Sequence, residues 1–411
     1  MTAVDETTAG PVPAHVPPEL VHPFLQETDP RFPTDPYGVY KQLQQATPDV
    51  FWSPSSADGK GVWMVTSFAL CREVLQEHTR FTTSIDYSPG NSWPRRLIPL
   101  ELDPPDHQKY RSLLTPLFAP AAIDRLEGGI RQTTDRLIDS VIGEGRCDFV
   151  DAFARQLPGS IFIQLLGLDP AMTEQCFAWE ETFFHSGTVS EREQVGVDIQ
   201  QMLVGHIEAK RAHPGPDLVS ELAKASVDGE PILDEYIQDM CFLLFIAGLD
   251  TVTSGLGHSF FYLATHPEKK QQLIDDPSLI PDAVEELLRW HSWVNVPRTV
   301  RVDTELGGVK MKQGDHIEVV LTLADRDASI FPEADEVDFA RAPNPHLAFA
   351  GGVHRCVGSH LARRELGIAV RTWIERVPDF HRPQSPATLQ YATLGMFSLP
   401  ELPLEWTPPS P

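Results

Sequence analysis

The chain has 411 residues, 41% of them hydrophobic and 22% charged, which excludes a stapled mini-protein and global disorder and supplies a large buried core. Its 33 Lys and Arg face 58 Asp and Glu, a formal charge of −25, so neither nucleic acid nor an anionic membrane is an expected partner. Five cysteines with no C-x-x-C pair give no motif for zinc or an iron–sulfur cluster and suit a reducing compartment.

The N-terminus lacks both the cationic start and the apolar stretch of a secretory signal, so a cytoplasmic location is expected. Residues 1–25 read as a flexible lead-in with Thr and Pro, and residues 26–411 as one continuous domain without internal repeats. The β-branched phrases Gly61–Val65 and His316–Leu321 predict strands. Ile123, Leu126, Ile130, Leu137 and Val141 recur at helical spacing and predict a helix over 121–142, and residues 192–211 and 360–376 repeat the habit. The longest predicted helix covers 234–264, with a ten-residue apolar run from Met240 to Leu249 at its centre. A membrane span needs about 20 apolar residues, so this helix reads as one buried through a large domain. Asp250 inside it costs several kcal/mol unless hydrogen-bonded or paired, and Gly248 costs about 1 kcal/mol relative to Ala. A groove in the helix wall that holds a bound group or water accounts for both; a solvated Asp on an exposed face is the plainer alternative.

The stretch Phe349-Ala-Gly-Gly-Val-His-Arg-Cys-Val-Gly358, followed by a helix start, sets one cysteine among glycines. Glycine lets backbone N–H groups approach the sulfur, and a following helix start also favours a thiolate. Cys356 is therefore a candidate metal or cofactor ligand, although a lone cysteine in a turn is ordinarily a small buried apolar residue. Glu286 and Arg289 stand i, i+3 on one helix face, and His107 and Arg111 lie one turn apart after the Asp103-Pro-Pro turn. Alone, such pairs carry little. Gly255-Leu-Gly257 lies inside a helical pattern and is not a dinucleotide loop.

In this order, Ala247-Gly-Leu-Asp-Thr251, Glu286-Leu-Leu-Arg289, Phe331-Pro332 with Asp338-Phe-Ala-Arg341, and Phe349 to Gly358 resemble a bacterial cytochrome P-450 over residues 30–407. Within that family, Gly248-Leu-Asp-Thr-Val252, His360-Leu-Ala-Arg-Arg-Glu365, Val377-Pro-Asp-Phe380 and Leu402-Pro-Leu-Glu-Trp406 are most similar to the camphor monooxygenase branch. The resemblance implies a mainly α fold with a small β-rich lobe, the triangular prism of the family. It implies a haem b held by the Cys356 thiolate, which favours O–O cleavage. Asp250 and Thr251 match the acid–alcohol pair that delivers protons. His107, Arg111, Arg298 and His354 match haem-propionate contacts, and Phe349, Ala247 and Gly358 match further haem contacts. Glu286, Arg289 and Arg341 match a structural ion-pair network. One position departs from the pattern: Ala350 stands where the loop usually has Gly, so a left-handed backbone there would cost about 1 kcal/mol.

The same resemblance places the substrate against residues 82–100, including Leu97 and Ile98, then Leu243, Ile246 and Ala247, then Val294 and Val296, then Met396 and Phe397. Arg95 falls where the camphor enzyme has a ketone-holding tyrosine, and Val296 replaces a nearby aspartate, which makes camphor itself a poor fit. Arg95 or Arg96 anchors a substrate carboxylate in one reading and is an ordinary exposed arginine in the other. The implied reaction is hydroxylation of a small terpenoid-like hydrophobe by a monomer, using dioxygen. A fatty acid, steroid or natural-product scaffold is the alternative substrate, and a non-catalytic haem-thiolate sensor or carrier the alternative function. No flavin or iron–sulfur domain fits in the chain, so NAD(P)H electrons would arrive through a separate ferredoxin and ferredoxin reductase. His354, Arg355, His360, Arg363 and Arg364, with Lys109 and Arg111, read as a basic face that steers an acidic ferredoxin.

Overall fold

The computed structural model describes residues 10–56, 59–84, 96–183, 187–384, 388–392 and 396–409. The chain gathers into two compact units. One comprises Met1–Ser92, Glu286–Cys356 and Gln390–Phe397, the other Trp93–Glu285, Val357–Leu389 and Ser398–Pro411. The first carries the five-stranded sheet and the second most of the helices, which is the mainly α fold with a β-rich lobe expected from the sequence.

In the first unit the strand order is Val50–Ser53, Val62–Val65, His316–Val319, Val296–Val300, Phe81–Thr82. Only His316–Val319 against Val62–Val65 is parallel; the remaining pairs are antiparallel. Both predicted strands are present, the second stopping at Val319 because the chain turns into the short Leu321–Ala324 helix. Trp63, Val65, Val300, Ile317 and Val319 are all at most 1% exposed, and Cys71 and Val74 of the Phe68–Gln76 helix pack on them. The flexible lead-in expected over residues 1–25 is not seen over 10–25. Val16 is buried in this core, and Gly10 N–H and His22 N–H donate to the carbonyls of Pro54 and Trp52 at 2.9 Å. Few residues satisfy a short sheet's edge by themselves, and this segment covers part of it.

In the second unit the predicted 121–142 helix is two, Pro120–Asp124 and Glu127–Val141. The 192–211 helix begins earlier, as Val189–Ala212, because Thr188 and Glu191 form a reciprocal cap in which Thr188 N–H donates to the Glu191 carboxylate at 2.8 Å. The 360–376 helix is Ser359–Arg376. The long central helix is interrupted: Asp234–Gly248 and Asp250–Thr265 are separate helices joined at Leu249. Together they are apolar and long enough to cross a membrane, yet 72% of the apolar window is buried inside the protein. Phe242, Phe245 and Leu249 pack with Phe162, Leu166 and Leu203. The second helix stacks Phe260 on Phe149 at 4.1 Å and against Trp373 at 5.7 Å.

Candidate functional site

The cysteine loop as far as Cys356 belongs to the first unit. Leu347 N–H donates to the Asp325 carboxylate and Ala350 N–H to the Leu347 carbonyl, both at 2.6 Å, and Cys356 N–H to the Phe349 carbonyl at 3.0 Å. Gly352 has φ +67°, and a Cβ there would lie 2.0 Å from the Leu75 carbonyl oxygen, so only glycine lets the loop approach the Phe68–Gln76 helix this closely. Ala350 adopts φ +53°, the left-handed conformation anticipated for this position, at a cost of about 1 kcal/mol. Its methyl packs against the core of the unit, which offsets part of that cost. Phe349 and Gly358 are half-buried.

Cys356 is exposed, whereas Cys71, Cys176 and Cys241 are buried and Cys147 half-buried. Burial pushes the Cys176 thiol up to about 11, the Cys241 thiol to about 12 and the Cys147 thiol to about 12, the latter two aided by Asp217 and Asp148, and raises Cys71 well above its usual range. These four are inert thiols, which leaves Cys356 as the accessible sulfur. His354 shares a 3.1 Å hydrogen bond with the Thr83 hydroxyl. Arg298, 6% exposed, donates from Nη1 to the Pro297 carbonyl at 2.7 Å.

The Glu286 carboxylate, 1% exposed, receives Arg289 Nε and Nη2 at 2.8 Å each. It also accepts from Arg341 Nε at 3.0 and 3.1 Å, from Asp338 N–H at 2.9 Å and from Asn344 Nδ2 at 3.1 Å. The remaining guanidinium N–H groups cap carbonyls: Arg289 reaches those of Asp325, Ala334 and Glu336, and Arg341 that of Pro332. A pair that sequence spacing values at a few tenths of a kcal/mol is thereby the buried hub of a loop region. The structure unites Glu286, Arg289 and Arg341 as the motif implies. It adds Asn344 and Asp325, whose only sequence signal is a polar residue next to or inside an apolar or Pro-rich phrase.

In the second unit the helix interruption exposes chemistry. Asp250 is 3% exposed, so the solvated-surface alternative fails. Thr251 Oγ1 donates to the Ala247 carbonyl at 2.9 Å, which leaves the hydroxyl oxygen's lone pairs as acceptors. Leu243, Ile246 and Ala247 follow i, i+3, i+4 and are half-buried, half-buried and exposed, while Leu244 and Phe245 between them are buried. An apolar stripe of a core helix thus remains accessible next to Asp250 and Thr251. His107, 2% exposed, and the half-buried Arg111 lie one turn apart on the Asp106–Leu114 helix.

Leu97 and Ile98 belong to the core cluster of the second unit. Ile98 and Arg96 also border a cavity of about 610 Å³ with Asp106, Lys109, Tyr110, Glu235, Tyr236 and Asp239. Arg96 is therefore set among carboxylates, a poor environment for a carboxylate anchor. Arg95, with all of residues 85–95, lies outside the described residues. In the first unit Val294 and Met396 form an antiparallel bridge and Val296 is half-buried. Phe397, 1% exposed, turns into an aromatic cluster, edge-on to Phe32 at 5.7 Å and Tyr37 at 5.5 Å. Three members of the predicted basic face are paired with acids. Arg363 forms a two-pronged pair with Glu285, Arg364 pairs with Asp124 and Glu127, and Lys109 sits 2.8 Å from Asp228 and 3.1 Å from Asp106.

A family model described as Cytochrome P450 matches residues 190–408. The probable cytochrome P450 127A1 of Sinorhizobium fredii is 34% identical over 406 residues, covering 97% of each chain. The mycinamicin IV hydroxylase/epoxidase of Micromonospora griseorubida is 31% identical across 90% of this chain and 95% of its own. Among solved structures, CYP101J2 matches with a TM-score of 0.88 at 29% identity, over 97% of this chain and 99% of that one.

Proposed function

The chain belongs to the cytochrome P450 family and is a monooxygenase of it, and from that premise we propose that it hydroxylates a compact, terpenoid-like hydrophobe with haem b as its cofactor. When bound, the haem supplies dioxygen activation and insertion of one oxygen atom into the substrate. The residues suit such a group. Cys356 is an accessible thiol among buried ones, and among the described residues no group of three or more His, Cys, Asp or Glu converges on a metal site. A single protein thiolate fits a metal that brings its other ligands in a macrocycle. The macrocycle's carboxylates need cationic and N–H partners away from bulk water, and His107, Arg298, Arg111 and His354 are the candidates. Phe349, Ala247 and Gly358 are candidate contacts with its faces.

Asp250 brings a carboxyl into an apolar wall, and Thr251, its own hydrogen donated to the Ala247 carbonyl, keeps its lone pairs for a further donor. This pair supports catalysis over a carrier role, which has no use for a proton route. The observation that carries the substrate reading is the accessible stripe Leu243, Ile246, Ala247 beside that pair; Leu97, Ile98, Val294, Val296 and Met396 are further candidates by the resemblance alone. Such a surface recognises shape and apolar area rather than charge. The camphor-branch likeness rests on the four short motifs alone. The name of the mycinamicin relative favours a natural-product scaffold as the second reading. Electrons are proposed to come from NAD(P)H through a ferredoxin and its reductase, to a cytoplasmic monomer.

The test is an optical titration of the ferric protein with monoterpenoids, fatty acids, steroids and macrolides, following the Soret band. Saturable low-spin to high-spin shifts confined to compact terpenoids are expected. Shifts with macrolides alone would replace the terpenoid reading with the natural-product one.

A further inference from the structure

Asp325 is 0% exposed and has no part in the steps above, yet it stands where the ion-pair hub and the cysteine loop meet within the first unit. Its carbonyl accepts Arg289 Nη1 at 2.9 Å. One carboxylate oxygen accepts Leu347 N–H at 2.6 Å and the other accepts the Ser292 hydroxyl in a short bond. Ser292 follows directly on the Ile280–His291 helix, at φ +38°, and its carbonyl takes the Thr322 hydroxyl at 2.5 Å. Leu347 in turn accepts Ala350 N–H, and Cys356 N–H closes back on Phe349. The hydrogen bonds therefore run unbroken from Glu286 and Arg289 through Asp325 to Leu347 and Ala350.

We propose that Asp325 is a positioning residue for the cysteine loop: its carboxylate fastens the backbone N–H of Leu347, two residues before the loop, to Ser292 at the end of the helix that carries Glu286 and Arg289. A neutral residue of similar shape keeps part of this link, whereas a residue with no acceptor leaves a buried N–H unpaired beside strained Ala350. The inference rests on the reading that Cys356 ligates the haem.

Burial pushes the Asp325 carboxyl up to about 6, opposed by His346, the Ser292 hydroxyl, Leu347 N–H and Arg289. The Cys71 thiol faces it as well. Because the folded value lies above the unfolded one, this group's contribution to global stability grows as pH falls below about 6 and is lost as pH rises through it. Protonation also withdraws the charge from the Leu347 bond. Acid therefore moves two quantities in opposite directions: resistance to global unfolding rises while the hold on Leu347 weakens. A residue with only a structural role would move both together.

The experiment measures hydrogen-exchange protection at Leu347 in the full-length haem-loaded protein, together with the Soret band of its reduced carbon monoxide adduct. Asp325→Ala is expected to lower Leu347 protection by about tenfold or more and to convert the thiolate-type band towards the thiol type. Asp325→Asn, which keeps an acceptor, is expected to hold protection within about threefold of wild type. Wild type should lose Leu347 protection by up to about threefold, to the level of Asp325→Asn, between pH 7 and about 5 while its melting temperature holds or rises, and Asp325→Asn should not change. The pH series is repeated in His346→Gln, because that ring faces the carboxylate. If Asp325→Ala does not fold, the Asn variant and the wild-type pH series decide. Wild-type protection and band in Asp325→Ala, or Leu347 protection that follows the melting temperature in wild type, would overturn the proposal. A thiolate-type band surviving in Cys356→Ala would instead overturn the haem-ligand reading on which it rests.

Discussion

Replacing Glu286 with Gln removes the charge at the centre of the hub without changing its volume. In the native arrangement one carboxylate serves five donor groups: Arg289 twice, Arg341, the Asp338 amide and Asn344. Gln retains one acceptor and turns an NH₂ toward donors, leaving Arg289, 0% exposed, and Arg341, 9% exposed, without their counter-charge. Breaking a buried pair in this way costs about 3–5 kcal/mol, a large share of a typical domain stability of about 5–15 kcal/mol. The assay is urea unfolding followed by circular dichroism. With a slope near about 3 kcal/mol per molar, the midpoint should fall by about 1 M or more. A midpoint within about 0.3 M of wild type would refute the argument that the carboxylate charge holds the hub together. Arg341→Met, at the more exposed side, should cost less than Glu286→Gln.

Asp250→Asn and Thr251→Ala should each slow turnover or divert reducing equivalents to peroxide while leaving the ferric haem spectrum intact, as measured by product formed per NAD(P)H; full coupling in both removes the proton-delivery role. Ala350→Gly should leave the stability within about 1 kcal/mol of wild type, because relief of the strain at φ +53° is set against glycine's extra unfolded-state entropy of about 0.4–1 kcal/mol and the lost methyl packing; a larger change in the melting temperature of either sign contradicts this. Burial pushes Glu365 up to about 8, so the folded protein keeps a proton that the unfolded chain releases. Wild type should therefore lose stability relative to Glu365→Gln by about 1.4 kcal/mol per pH unit between pH 5 and about 8, and parallel stability–pH curves would count against it. Since Arg363, Arg364 and Lys109 are already paired, reduction by an acidic ferredoxin should change less than about threefold between about 0.05 and about 0.2 M salt; a steep fall would restore electrostatic steering.

The residues of the site that could be read from sequence are those spelled by contiguous letters. Cys356 among its glycines, Asp250-Thr251 inside an apolar run and Glu286 three before Arg289 are local patterns, and in the fold Cys356 is exposed, Asp250 buried and Glu286 bonded to Arg289. The strained Ala350 was legible too, because a single non-glycine in a glycine loop is a local departure. Long-range pairing was not. Asp325 finds Leu347 across 22 residues and Ser292 across 33, while Arg363 meets Glu285 across 78 and Arg364 meets Asp124 across 240. No periodicity encodes such partners, so arginines that look like a free basic patch in sequence are half of neutral couples in the fold. The interruption at Leu249 was half legible: Gly248 weakens a helix, but tertiary packing of Leu249 into the core decides where the break falls. The seating of residues 10–25 was not legible, because Pro-rich composition says nothing of Val16 finding a hydrophobic seat.

Those neutral couples make the surface easy to retune. Glu285, Asp124 and Glu127 act as covers, each lying over a guanidinium that is already in place. Losing one cover by a single substitution, such as Glu285→Gln, uncovers a full positive charge without building a new side chain and without altering Cys356, Asp250 or Thr251. The charge of this surface is thus free to drift by small steps while those three residues stay fixed.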